Sequence, residues 1–78
     1  MVRERVRSSN IRSVGYDPEH SVLEVEFHDH DLYHYFDVSA DVYEGLMRAP
    51  SHGRYLNSHI KGRYRYQKIW PNRSAVRQ

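Results

Sequence analysis

The chain has 78 residues, 38% of them hydrophobic and 28% charged, with seven tyrosines, two phenylalanines, one tryptophan and no cysteine. A chain this short buries only roughly 60% of the surface its unfolded form exposes, which excludes a second domain and leaves aromatic side chains to carry much of the packing. Lack of cysteine excludes a disulfide scaffold and a thiolate metal site and fits a reducing compartment, while no apolar run approaches the roughly 18 residues of a membrane span. No apolar stretch follows the basic start either, so a cytoplasmic location is expected.

The net charge of +2 hides a segregation. Residues 1–12 carry a net +3, residues 13–44 hold nine acids and neither Lys nor Arg, and residues 45–78 hold eight bases and no acid. Such blocks suit either a basic surface for a polyanion or two faces that neutralise each other within the fold.

In chain order, residues 1–7 read as a basic arm, 8–70 as the folded domain and 71–78 as a polar tail. Asn10 to Tyr16 is a first strand; Ile11 and Val14 are out of phase for a period of two, which calls for a bulge. Asp17-Pro18-Glu19-His20 is a turn. Ser21 to Phe27 alternates Leu23, Val25 and Phe27 with Glu24 and Glu26, so the first set is expected in the core and the glutamates in water. After the polar turn His28-Asp29-His30-Asp31, Leu32 to Val38 forms a third strand. Tyr33 and Tyr35 share one of its faces, but the pattern does not say which face meets the core.

Ser39 is an N-cap signal with Asp41 in the first turn, and Val42, Leu46 and Ala49 follow at helical spacing, so Ser39 to Ala49 reads as a helix ended by Pro50. Ser51 caps a second helix carrying Leu56 and Ile60, with Gly62 as its stop. Arg63 to Trp70 is a short strand or extended arm. The expected fold is α+β: a three-stranded antiparallel meander, two short helices, and a short C-terminal strand or arm.

Four blocks stand in a specific order: Ser9-Asn10-Ile11, Gly15-Tyr16-Asp17, Tyr33-His34-Tyr35 with Val38, and Ser51 to Gly62 with Gly53, Tyr55 and Asn57. Together they resemble the KTSC domain, a short module named after the C-terminal region of some lysyl-tRNA synthetases and also found as a stand-alone bacterial protein. Ser39 and Arg65 stand where that family carries prolines. Ser39 exchanges one helix-start signal for another, and Arg65 makes the ending more charged and less rigid. The resemblance implies RNA binding.

The residues themselves point to binding more than to catalysis. Tyr33 and Tyr35 on one strand face either form a stacking platform for RNA bases or pack under the helices with their hydroxyls at the rim. Tyr64 and Tyr66 face the same choice, but interleaved with Arg63 and Arg65 and flanked by Lys61 and Lys68 they are the better candidates for a solvent-facing RNA contact. His28, His30 and His34 with Asp29 and Asp31 match no strong metal motif, and neither metal nor cofactor is expected. Ser51, His52 and His59 have no carboxylate after Glu44 to orient them, so the chain is not expected to be an enzyme. The expectation is therefore a non-enzymatic module for tRNA or single-stranded RNA; the alternative is a protein-interaction module or homodimer joined through complementary acidic and basic patches.

Overall fold

The computed structural model describes residues 3–70; the expected polar tail, 71–78, lies outside them. The strands are β1 (Arg3–Arg5), β2 (Ile11–Asp17), β3 (Val22–Phe27), β4 (Leu32–Tyr35) and β5 (Tyr66–Trp70), hydrogen-bonded antiparallel in the order β1-β2-β3-β4-β5. Between β4 and β5 run helix α1 (Ala40–Arg48) and helix α2 (His52–Tyr55), and α2 continues as a π-helical stretch over Leu56–Ile60.

The sheet thus has five strands, where a three-stranded meander with a strand or arm was expected. Part of the basic arm supplies an edge strand, with Arg3 opposite Gly15 and Arg5 opposite Ser13. No alternation marks Arg3-Glu4-Arg5, so a three-residue strand of charged side chains is invisible to hydrophobic periodicity. The C-terminal segment is a strand, registered on β4 with Tyr35 opposite Tyr66.

The expected bulge is present. Pairing of β2 with β3 shifts between Ile11 and Ser13, and the extra residue returns Ile11 and Val14 to one face, where both are fully buried. Leu23 and Val25 are fully buried on that face, whereas Phe27 is only half-buried. Leu23 lies opposite Tyr35 and Val25 opposite Tyr33, which puts both tyrosines on the core side. β4 ends at Tyr35, short of the expected Val38, because Asp37 takes a positive φ of 60° that breaks the extended chain.

Glu24 and Glu26 are not in open water. Their side chains are only 15% and 20% exposed, because Arg3 of β1 covers them at 3.1 Å and 3.5 Å. His34 Nε2 lies 2.8 Å from Glu24, and the Ser13 hydroxyl donates to Glu26 at 2.9 Å. An added edge strand therefore converts an expected wet face into a charged, half-buried one.

Local signals set the helices. The Ser39 hydroxyl accepts from the Val42 N–H at 3.4 Å and the Ser51 hydroxyl from the Arg54 N–H at 3.3 Å, satisfying first-turn donors. Past Leu56 the turn widens: the Lys61 N–H donates to the Leu56 carbonyl at 2.8 Å, five residues back. Leu56 and Ile60 are both buried, and Gly62, with φ +80°, turns the chain away. Helices α1 and α2 meet at Gly45, where a Cβ would collide with the Tyr55 hydroxyl and ring. Leu46, Leu56, Ile60 and Val38 close the core over Ile11, Val14, Leu23, Val25 and Tyr35.

Candidate functional site

A groove of about 790 Å³ runs between the helix-covered side of the sheet and the π-helical stretch. Its aromatic wall comes from three strands. Phe27 ends β3, Tyr33 and Tyr35 come from β4, and Tyr66 opens β5. The rings of Phe27 and Tyr33 meet edge to face with centroids 5.6 Å apart; Tyr66 lies 5.7 Å from Tyr33 and 6.0 Å from Tyr35. These separations fall within the favourable range for aromatic pairs, so the wall is a packed unit.

The wall is buried at one end and open at the other. Tyr35 is 3% exposed, and its burial, with the neighbouring Tyr33 and Tyr66 hydroxyls adding to it, pushes its phenol up to about 12. Tyr66 is 60% exposed. Lys61 also lines the groove, with its ammonium 5.5 Å from the centre of the Phe27 ring.

The far end is acidic. The turn joining β3 and β4 closes through the His30 N–H donating to the Phe27 carbonyl and the Phe27 N–H donating to the Asp31 carbonyl, both at 2.9 Å. His30 sits at φ 75°, the left-handed position that ends a three-residue hairpin loop. Asp29 and Asp31 of this turn line the groove. Asp29 accepts from the Asp31 N–H at 3.0 Å, and Asp31 pairs with Lys68 at 3.3 Å.

Adjoining the groove is a smaller cleft of about 290 Å³. Arg7, Ser8, His52 and Arg54 are among its lining residues, and no carboxylate is. The Ser8 hydroxyl accepts from the N–H groups of Asn10 and Ile11, both at 3.2 Å, and holds this entry to β2 in place. Groove and cleft share Ser9, Asn10, Gly53 and Asn57.

Of the residues expected to contact RNA, Tyr33, Tyr35, Lys61 and Tyr66 gather in the groove, but Tyr35 is too buried to offer a ring face to a base. Lys68 reaches the groove only through its pair with Asp31. For Tyr64 the packing alternative holds: it precedes β5 and packs half-buried against the core, so it is not the solvent-facing contact it was a candidate for. Arg65 lies elsewhere, 5.0 Å over the Phe36 ring and 3.4 Å from Asp37, and Arg63 is exposed but does not line the groove. The strict alternation of Arg63 to Tyr66 is broken because the strand begins only at Tyr66.

His28, Asp29, His30 and Asp31 of the second turn and His34 of β4 do not bring three ligand atoms together. His34 faces Glu24 on the outer side of the sheet, whereas the His28 ring donates to the Ser8 carbonyl at 2.8 Å. His52 donates from Nδ1 to the Leu46 carbonyl, Ser51 caps α2, and His59 packs on the Tyr55 ring at 4.4 Å. Sequence reasoning missed Phe27, Asn10, Asn57, Asp29, Asp31, Arg7 and Arg54 as groove or cleft residues. A signal for some of them existed: Ser9-Asn10-Ile11, Tyr33 with Tyr35, and Gly53 with Asn57 carry the family resemblance, and all converge here.

The KTSC domain model matches residues 7–64. A protein of Stutzerimonas stutzeri is 46% identical over 70 residues, covering 88% of this chain and 99% of that one. A lysine–tRNA ligase of a Nostoc species is 38% identical over 61 residues, covering 78% of this chain but 11% of the ligase. The crystal structure of a KTSC domain protein from Yersinia pestis superposes with a TM-score of 0.85 at 38% identity, over 87% of this chain and 96% of that one. With most of the chain matched in sequence and in fold, the chain belongs to the KTSC domain family.

Proposed function

We propose that this domain is a non-enzymatic cytoplasmic module that binds single-stranded RNA, or an unpaired segment of a structured RNA such as tRNA, in the aromatic groove. The observation that carries this reading is Tyr66, a ring 60% exposed at the lip of an otherwise packed aromatic wall. An exposed ring beside a partly open one is what an unstacked base needs, and stacking of a base on such a ring is worth roughly 1–3 kcal/mol. Lys61 at the groove and the basic cleft beside it supply charge for phosphates. The occurrence of a similar domain within lysine–tRNA ligases fits an RNA partner. Neither a metal nor a cofactor has a part in this reading.

The test is fluorescence anisotropy with a single-stranded RNA hexamer, tRNA and heparin at two salt concentrations, with light scattering on the same samples. Tyr66→Ala is expected to weaken hexamer binding by roughly 5–150-fold with an unchanged salt slope, because stacking releases no counterions. Lys61→Ala is expected to flatten the slope by about 0.7 log units per decade of salt. Failure to bind any RNA at low salt, together with a concentration-dependent dimer, would replace this reading with self-association through the acidic and basic patches.

A further inference from the structure

Among the described residues, the cleft beside the groove holds charges and donors that nothing in the fold answers. Arg7 and Arg54 line it from segments far apart in the chain, and neither guanidinium pairs with a described carboxylate. The Ser8 hydroxyl accepts the N–H groups of Asn10 and Ile11, which engages both of its lone pairs and leaves only its proton to give. Ser8 stands against α2, where a Cβ added to Gly53 would lie 3.8 Å from its oxygen. We infer that this cleft binds a phosphate group that still carries a proton, as inorganic phosphate or as the phosphomonoester end of an RNA. The inference rests on the RNA-binding reading only in the second case, where it adds to that reading the part of the RNA that is held.

The two arginines call for an anion, and His52 calls for its proton. A carbonyl only accepts, so the 2.8 Å contact with the Leu46 carbonyl places the proton of the neutral ring on Nδ1 and leaves a lone pair on Nε2. No described group hydrogen-bonds Nε2, and no buried side-chain nitrogen among the described residues is without a partner. Nε2 is therefore open to solvent, on a ring that lines the cleft. A protonated phosphate satisfies the whole set: its charged oxygens meet Arg7, Arg54 and the Ser8 hydroxyl, and its P–O–H donates to Nε2. Sulfate has the same shape but no proton at neutral pH, so it sets an oxygen lone pair against Nε2 or forces the ring to take up a proton. An internal phosphodiester has the same defect and carries one charge on two free oxygens. A terminal phosphate has a third oxygen and loses its last proton only at about pH 6. The turn between β3 and β4 is tied to this segment through His28, which donates to the Asn10 and Ser8 carbonyls, but its carboxylates line the groove and not the cleft. Asp31 is further neutralised by Lys68.

The experiment titrates the full chain with sodium phosphate and with sodium sulfate at about pH 7.5 and equal ionic strength, following backbone amide shifts by NMR. Phosphate is expected to bind at least about tenfold more tightly than sulfate, the difference of one hydrogen bond to a charged group, with the largest shifts at Ser8, Gly53 and Arg54. In His52→Gln, whose amide can donate to either anion, the preference should shrink to within about twofold. In the Arg7→Ala, Arg54→Ala double variant both anions should bind at least about tenfold more weakly. Melting curves show whether each variant folds, and the phosphate–sulfate comparison tests the inference on the unaltered protein. Equal affinity for the two anions overturns the protonated phosphate. Shifts away from the cleft, or none, overturn the site. A second titration uses internally labelled RNA hexamers with a 5′-phosphate, a 3′-phosphate or neither, at about pH 6.5. A gain of at least about tenfold from either terminal phosphate assigns the site to an RNA end. Phosphate binding without that gain assigns it to free phosphate. Phosphate binding with no binding of any hexamer overturns the RNA reading while this inference stands.

Discussion

The two faces of the sheet are both largely withdrawn from water, but by different physics. On the helix-covered face, Leu23 and Val25 are fully buried against Leu46, Leu56 and Ile60, and their stabilisation scales with apolar area taken from water. On the opposite face, Glu24 and Glu26 are held by Arg3, His34 and Ser13, where each attraction is offset by desolvation of both partners. The difference teaches that a strict alternation of apolar and acidic residues identifies two faces without telling how exposed the polar one is. That depends on which strand lies beside it.

Three experiments separate the two faces, in order of expected size. Leu23→Ala removes a fully buried side chain and is expected to cost about 2–5 kcal/mol in denaturant unfolding; a loss under about half a kcal/mol would mean that this face is not the core. Raising the pH probes the same face through Tyr35. Burial pushes its phenol up from the usual 10.0 to about 12, so the folded state holds its proton more tightly. Stability is therefore intact below pH 10 and is lost as the pH rises toward 12, by on the order of 2 kcal/mol. Tyr35→Phe should remove that part of the alkaline loss in melting curves. On the charged face, Arg3→Ala is expected to cost only about 0.5–1.5 kcal/mol, with the cost shrinking as salt is added. A larger loss, independent of salt, would show that the pairs with Glu24 and Glu26 act as a buried network.

What could be read from the sequence was local. The cap at Ser39, the cap at Ser51, the stop at Gly62 and the bulge between Ile11 and Val14 each depend on residues within a few positions, and each is where it was expected. What escaped was pairing. Arg3 reaches Glu24 only because β1 folds back on β2, and Tyr33 faces the core only because Val25 lies opposite. The groove needed both kinds of information: its aromatic residues and the Asn10 and Asn57 amides come from segments far apart in the chain. Local patterning placed Tyr64 beside Tyr66 as a partner, whereas the register places Tyr33 and Tyr35 there. The aromatic cluster of the groove is therefore a property of the sheet order.

That order also divides the molecule by the length of chain each pairing must close. β1 to β4 pair with their sequence neighbours through short connections, whereas β5 returns to β4 only after both helices have been traversed. The entropy of closing that longer loop falls on the one strand that carries Tyr66 and Lys68. Peeling β5 from β4 leaves the three hairpin pairings closed but removes the groove's open ring and the cation that neutralises Asp31. A partial opening of this kind needs less free energy than global unfolding. Release of β5 alone therefore takes apart the exposed edge of the groove and leaves the β1–β4 pairings in place.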